Sequence, residues 1–465
     1  MQKYGKKTLV AIFLFIILSC VWLYRESFHA YFFQDDWFSL SISRNSSIAG
    51  IFRFFLPRTD VIYYRPLGMQ IPYFLISSLF GLNSYAFHTI IFISHIINII
   101  LVFFLIRLLI LRDDYALLSS FFYATSTIHY IPFFWFATYA FIIGPTFFFL
   151  AFILYVLYLK KNIYRYFIYS LVIFFIGMFT NEMIFILPFI LLVYSFISNC
   201  NYKKYISLFW FVIIDILIFG VRYILFPPPT TGMYELEIGR SMIINLKGYI
   251  LWSFNWPEEM KAQLIRFFTF NPKFINDFYS YFWIFIISIV INLMIFYIIP
   301  IIILFLKKRF AIFKKVIFGI TWFILGLTSV LFFPKHSFSY YLPISFVGLL
   351  YIYVILHTEV IKVSSVFRRL NPLFIILLLV NWLIAGTATI KFNSKVHWAP
   401  RRAKLSRDLV SQALIRNPVK SSRMDIIIDP SSENIHALNN QDAFKVIFNL
   451  DTNTIYTKDV KVYPL

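Results

Sequence analysis

The polar positions along this chain are few and grouped, and the groups divide it into long apolar runs. The first run covers residues 8–24. Others lie at about 86–110, 114–130, 132–159, 162–180, 182–200, 204–226, 279–306, 312–333, 338–357 and 370–390. Most have the ~20 residues that carry a helix across ~30 Å of hydrocarbon. The pattern therefore predicts a bundle of about eleven membrane helices, with the break between 114–130 and 132–159 the least marked. Residues 67–80 are apolar but short, and they stop at the turn signal Phe80-Gly81-Leu82-Asn83; a helix lying in the interface is expected there.

Two long polar stretches remain, 25–66 (extending amphipathically to about 85) and 227–278. The second opens with Pro227-Pro228-Pro229, which ends the preceding helix. After about residue 391 the pattern changes. HWAPRRAKLSRDLVSQALIRNP (397–418) reads as a basic amphipathic helix. MDIIIDP (424–430), FKVIFNL (444–450) and TIYTKDV (454–460) read as short strands between turn residues. This predicts a membrane domain over 1–391 and a small α/β unit over 392–465. The unit is too small for a large core of its own, so it is expected to dock on the outer loops.

Composition agrees with the pattern. Only 14% of residues are charged, against about a quarter in soluble domains. The net charge of +21 would fit nucleic acid, but its placement argues otherwise. With the N-terminus inside, the inner loops hold Arg112, Lys160-Lys161 with Arg165, Lys203-Lys204, Lys307-Lys308-Arg309 with Lys314-Lys315, and Lys362 with Arg368-Arg369. That is the positive-inside pattern. It puts 25–85, 227–278 and the C-terminal unit outside. The first run follows Lys3, Lys6 and Lys7 and lacks a small-residue cleavage site, so a retained helix is expected rather than a signal peptide. Cys20 and Cys200 give no disulfide framework.

This topology gathers a polar set at one face. The first outer loop brings the adjacent acids Asp35 and Asp36, then Tyr64 and Arg65. Glu182 follows at a junction of two helices, Arg222 at a helix end, and Lys335, His336, Tyr340 and Tyr341 at a later outer turn. There is no glycine-rich phosphate loop, no HExxH and no cysteine pair. Acids and bases at a membrane face without a nucleotide site fit chemistry on a lipid phosphate. A carboxylate can take a proton from a hydroxyl acceptor. Arg65, Arg222 and Lys335 can hold a phosphate, and Tyr64, Glu182, His336, Tyr340 and Tyr341 can shape a polar cavity. A double acid alone also leaves a divalent cation open.

Structural roles compete for the same residues. Asp35-Asp36 can cap a helix beginning at Trp37. Arg65 and Arg222 can anchor at the interface, as can His336 with Tyr340-Tyr341. Glu182 is costly between apolar runs unless it meets a polar cavity or a partner. Asp215 is expected to pair with a neighbouring helix. His88, His95 and Asn98 share a helical face and are expected to form interhelical hydrogen bonds.

The order of the first-loop motifs resembles the GT-C superfamily of membrane glycosyltransferases. The motifs are Asp35-Asp36, Tyr64-Arg65-Pro66-Leu67, Phe80-Gly81, Phe87-His88 with His95 and Asn98, Asn181-Glu182, and Tyr340-Tyr341-Leu342-Pro343. They are similar to those of the protein O-mannosyltransferase-like and bacterial lipid-A-sugar-transferase-like branches. The resemblance covers the layout of residues 8–390. It implies an inverting transferase using a polyprenyl-phosphate-linked sugar, with Asp35 as base and Asp36 as its rival, acting on a lipid, polysaccharide or protein acceptor in a bacterial cytoplasmic membrane. Two departures stand out. Asn181 replaces a lysine common in relatives, and His336 and Ser339 stand where many have arginine or Glu-Arg. The C-terminal unit lacks tetratricopeptide periodicity. Two other classes fit a polytopic chain. A flippase of lipid-linked saccharides would want broken helices and an inverted repeat, neither of which the pattern shows. A non-catalytic envelope-assembly protein would not need the acids.

Overall fold

The computed structural model describes residues 5–44, 48–56, 61, 64–198, 202–225, 227, 232–261, 263, 269–416, 423–448 and 451–456. Cys200 and Pro228-Pro229 lie outside the described residues.

The membrane part is helical throughout. Helix α1 (Lys6–Tyr24) leads into the first polar loop, which holds α2 (Asp35–Arg44) and α3 (Gln70–Phe80). Next come α4 (Ser84–Ile110), α5 (Asp113–Ala124), α6 (Tyr130–Phe134), α7 (Ala140–Lys161), α8 (Tyr164–Gly177), α9 (Leu187–Ile197) and α10 (Tyr202–Leu225). The second polar stretch carries α11 (Arg240–Trp252) and α12 (Pro272–Asp277). Helices α13 (Tyr279–Leu293) and α14 (Ile299–Leu306) form one span through a π turn. Then follow α15 (Phe313–Leu331), α16 (Pro343–Val363) and α17 (Ser365–Val396).

Eight helical stretches among the described residues are long and apolar enough to cross a membrane. This is a polytopic helical membrane protein. The other three expected helices are shorter. Residues 164–177 and 182–197 are apolar helices below span length. The run at 114–130 breaks up, because α5 has only 12 residues, about 18 Å of rise. A tertiary bond draws the backbone out of the helix there: the Thr127 N–H donates to Asn255 Oδ1 at 2.8 Å. Asn255 itself has φ +61°, and its Nδ2 donates to the Trp382 carbonyl at 3.2 Å.

Helix α16 is the most enclosed span, whereas α1 and α10 face largely outward. Among the buried apolar side chains, polar groups tie helix to helix. His88 Nε2 lies 3.1 Å from the Ala30 carbonyl, and His95 Nε2 lies 3.3 Å from that of Ala124. Asn98 Nδ2 donates to the Ile142 carbonyl at 2.7 Å. The expected polar face of α4 is thus bonded to its neighbours. Asp215 departs from expectation: neither carboxylate oxygen has a hydrogen-bond partner among the described residues. It sits on α10, one of the least enclosed spans.

After Val396 the chain forms α18 (Trp398–Arg416), β1 (Arg423–Ile428), α19 (Ser432–Leu438), α20 (Asp442–Phe448) and β2 (Asp451–Tyr456). The strand expected at 444–450 is helix α20. Strands β1 and β2 are parallel, and a parallel pair needs a crossover; α19 and α20 supply it. A short apolar run cannot tell strand from buried helix by periodicity alone. In α20, Ala443, Phe444, Val446 and Phe448 turn inward, with Lys445 exposed. The segment docks on the first loop, where Trp37 Nε1 donates to Ser406 Oγ at 2.9 Å and α20 packs on α2.

Helices α15 and α16 approach through glycines, as small residues allow in membrane packing. A Cβ on Gly348 would stand 2.6 Å from the Gly319 carbonyl oxygen and 2.9 Å from the Phe323 nitrogen. Both obstacles are backbone and cannot swing aside. Gly348→Val is expected to cost about 1–3 kcal/mol of stability. This would be read as a lower thermal unfolding midpoint of the purified protein in detergent; an unchanged midpoint would contradict the tight seam.

Candidate active site

Asp35 and Asp36 open the first turn of α2. Neighbouring positions on a helix point about 100° apart, and the two acids have different surroundings. Asp36 faces the interior and is 2% exposed. Its Oδ2 accepts the Phe33 N–H at 3.1 Å, and its Oδ1 accepts the Ala137 N–H at 2.8 Å and the Tyr73 hydroxyl. Asp36 therefore joins the start of α2, helix α3 and the turn before α7. Asp35 is partly buried and lines a cavity of about 610 Å³.

Burial pushes the Asp35 carboxyl up to about 6, with the positive charge of Arg402 pulling the other way. Burial pushes Asp36 up to about 7. Its three hydrogen bonds oppose this, and the charge of Asp35 adds to it. The oxygens of Asp36 thus accept from three donors inside the protein, whereas Asp35 faces the cavity. Among the described residues no three His, Cys, Asp or Glu side chains converge as metal ligands.

Arg65, His336, Tyr340 and Tyr341 line the same cavity as Asp35. Arg65 grips Glu182 with a two-pronged fork: Nε donates to Oε2 at 2.7 Å, and Nη2 donates to Oε1. The Arg65 guanidinium also lies over the Phe141 ring at 4.9 Å. The local chain brings these two loops together. The Leu67 N–H donates to the Phe179 carbonyl at 3.0 Å. Gly68 presses on the Thr180 carbonyl so closely that a Cβ would collide with it. Asn181 Oδ1 then accepts the Met183 N–H at 2.8 Å and caps the turn that carries Glu182. His336 is held neutral, since burial lowers it to about 4 and the charge of Arg65 acts in the same direction.

Arg222 reaches Glu182 Oε2 at 3.6 Å from the other side. It lines a second, apolar groove of about 260 Å³ with Tyr64, Phe55, Phe179, Val221 and Leu225. The Tyr64 hydroxyl donates to the Phe55 carbonyl at 2.8 Å. One carboxylate thus joins the arginine of the polar cavity to the arginine of the apolar groove, and the trio carries a net charge of +1. Lys335 stands apart. It is half exposed, pairs with Glu235 at 2.6 Å and Glu237 at 3.4 Å, and lines neither void. Tyr63, the partner of Tyr64 in the sequence motif, lies outside the described residues.

The fold is similar to that of the archaeal oligosaccharyltransferase AglB from Archaeoglobus fulgidus in complex with an inhibitory peptide and a dolichol-phosphate. The TM-score is 0.51 at 12% identity, over 97% of this chain and 65% of that one. The apo form of the Archaeoglobus fulgidus oligosaccharyltransferase gives a TM-score of 0.50 at 13% identity, over 98% of this chain and 65% of that one. The fold is that of these oligosaccharyltransferases. The polytopic helical fold expected from the sequence is therefore the fold found. The chain spans about 65% of the length of those structures, and at this identity the likeness establishes the fold alone. No protein-family model and no curated protein matches the chain.

Among the cavity residues that the sequence did not single out, Trp398, Arg402 and His436 come from beyond the membrane helices. The signal available was the Arg401-Arg402 pair in a basic amphipathic helix, which marks a charged face without saying what it meets.

The environments of the two acids separate their roles. In Asp36→Asn an amide N–H₂ must replace one acceptor oxygen, leaving at least one buried donor facing another. The expected loss is about 1–3 kcal/mol. Asp35→Asn removes a carboxylate whose charged form burial disfavours, so it is expected to leave stability unchanged or slightly raised above pH 6. Thermal unfolding of the two variants at pH 7.5 checks this, and equal midpoints would contradict the division.

Proposed function

We propose that the protein is an inverting glycosyltransferase that moves a sugar from a polyprenyl-phosphate carrier to a hydroxyl acceptor. We place it at the outer face of a bacterial cytoplasmic membrane, with the N-terminus cytoplasmic and the C-terminal unit outside, an odd number of crossings in which the three shorter apolar segments at 114–130, 164–177 and 182–197 complete the eight long spans. The observation that carries this reading is the Arg65–Glu182–Arg222 trio, which joins an apolar groove to a polar cavity containing a carboxylate. A lipid phosphate needs such a junction: apolar walls for the chain and fixed cations for the headgroup. The archaeal enzyme of the same fold was solved with a dolichol-phosphate, a carrier of the class proposed.

The carrier lies with its isoprenoid chain along Phe55, Phe179, Val221 and Leu225. Its phosphate sits against Arg65 and Arg222, and the sugar projects into the larger cavity. Asp35 accepts the proton of the acceptor hydroxyl. The acceptor oxygen attacks the anomeric carbon on the face opposite the phosphate, and the bond from that carbon to the phosphate oxygen breaks. The polyprenyl phosphate leaves with the bonding electrons, and the two arginines stabilise its new negative charge. Neutral His336 and the tyrosines Tyr340 and Tyr341 form the polar wall around the sugar. Asp36 holds the loop in place.

Asp35 must be ionised to act as base. Its raised value of about 6 means that activity rises with pH through about 6 and is lost below it. Asp35→Asn is expected to lower transfer by about 10²–10⁴-fold and to abolish that acid limb. The check is transfer from a panel of undecaprenyl-phosphate sugars by the purified protein between pH 5 and 8. An active Asp35→Asn variant with an unchanged pH profile would overturn the assignment.

A further inference from the structure

Gln34, the residue before Asp35, has φ +52°. This is the left-handed region, which a side chain other than glycine occupies at a cost and which surrounding contacts must hold in place. The contacts that hold it come from the far end of the sequence. The Gln34 N–H donates to the Ala437 carbonyl at 3.1 Å, in the last turn of α19, where carbonyls lack a partner within the helix. Arg402 Nη1 donates to Gln34 Oε1 at 2.7 Å.

Arg402 is itself fixed. Its Nε and Nη2 each reach Glu433 at 3.3 Å, and its guanidinium lies over the Trp398 ring at 5.2 Å. Trp398 in turn meets Trp135 edge to face at 5.2 Å. Arg402 also lines the cavity beside Asp35, together with His436. A residue in a costly conformation, one bond ahead of the cavity carboxylate, is thus held from α18 and α19.

We propose that the C-terminal segment is a working part of the active centre. Arg402 and the Ala437 carbonyl hold Gln34 in its left-handed conformation and so set the direction in which Asp35 enters the cavity. Arg402 and Gln34 are positioning residues, and the inference rests on Asp35 being the base. Helix α18 supplies the charge of Arg402 beside Asp35, α2 supplies Asp36, and α3 supplies Tyr73. Arg65, His336, His436, Tyr234, Tyr340 and Tyr341 are the other titratable and charged groups lining the cavity. Arg402 therefore acts twice, by holding Gln34 and by favouring ionised Asp35.

The test uses the full chain with Gln34→Gly, Gln34→Ala, Arg402→Gln and Arg402→Lys. Glycine adopts the left-handed conformation without help, so Gln34→Gly is expected to keep kcat within about threefold of wild type. Alanine bears the cost with only the Ala437 bond left and the Arg402 bond gone, and Gln34→Ala is expected to lose about tenfold or more, as misplaced catalytic groups do. Arg402→Gln is expected to lower kcat similarly, with the donor KM little changed. Arg402→Lys, which keeps the charge, recovers part of the loss.

The second readout needs no turnover. Infrared difference spectra against Asp35→Asn follow the Asp35 carboxyl. Its titration point is expected to move in Gln34→Ala, to rise in Arg402→Gln, and to stay near 6 in Gln34→Gly. Equal loss in the glycine and alanine variants, or an Asp35 titration unmoved in both Gln34→Ala and Arg402→Gln, would overturn the clamp. A wild type that transfers no sugar would instead sink the transferase reading, and the titration would still decide the clamp.

Discussion

The junction of Arg65, Glu182 and Arg222 constrains the rest of the site. Charges removed from water beside a membrane core persist only when they are paired and hydrogen-bonded. The Arg65 side chain is 8% exposed and that of Glu182 is 25% exposed, so neither can turn to bulk water for solvation. Meeting that condition brings together positions 117 residues apart. It explains the small residue at Gly68, the Leu67–Phe179 backbone bond and the capping Asn181. It also explains why Arg222 points inward from an otherwise outward-facing helix.

Asp35 and Asp36 show how one short stretch of sequence yields two chemistries. Both carboxyls are raised by burial. Three donors to Asp36 make it a fastener of the loop, whereas Asp35 has an open cavity before it. The helical turn between them, rather than any difference in residue type, assigns the roles. The hydrogen bonds of Asp36 to Tyr73 and Ala137 in turn keep α2 from rotating, so the structural acid preserves the orientation of its neighbour.

Much of the fold could be read from the sequence because the membrane imposes a length rule. The spans follow the apolar runs at 86–110, 204–226, 279–306 and 312–333, and the short helix α3 stops at the Gly81 turn signal. The pattern failed where tertiary bonds compete with periodicity. At 114–130 the chain leaves the helix to reach Asn255, and at 444–450 the parallel pairing of β1 and β2 requires a crossover that a lone apolar run does not announce. In the site, Arg65, His336, Tyr340 and Tyr341 line one cavity with Asp35, whereas Tyr64 turns to the apolar groove and Glu182 stands between the two arginines. Lys335 illustrates the opposite case. A lysine at the expected turn is a candidate by position, yet its side chain is drawn to Glu235 and Glu237, two acids whose nearness only the fold creates. Arg402 was hidden for a related reason: its partners Gln34 and Glu433 lie in different parts of the chain.

The two voids differ in what can enter them. The groove beside Arg222 is walled by Phe55, Phe179, Val221 and Leu225, and it borders α10, which is little enclosed by the rest of the protein. An occupant arriving from the bilayer meets it first. The larger cavity is walled on its far side by Trp398, Arg402 and His436, so an occupant arriving there passes the C-terminal segment. An inverting displacement has this requirement. The leaving phosphate and the attacking hydroxyl must approach the anomeric carbon from opposite faces, each already oriented before the bond changes. With the cations at the groove and Asp35 in the cavity, the proposed donor and acceptor reach the reacting carbon by separate routes, and neither has to move aside for the other.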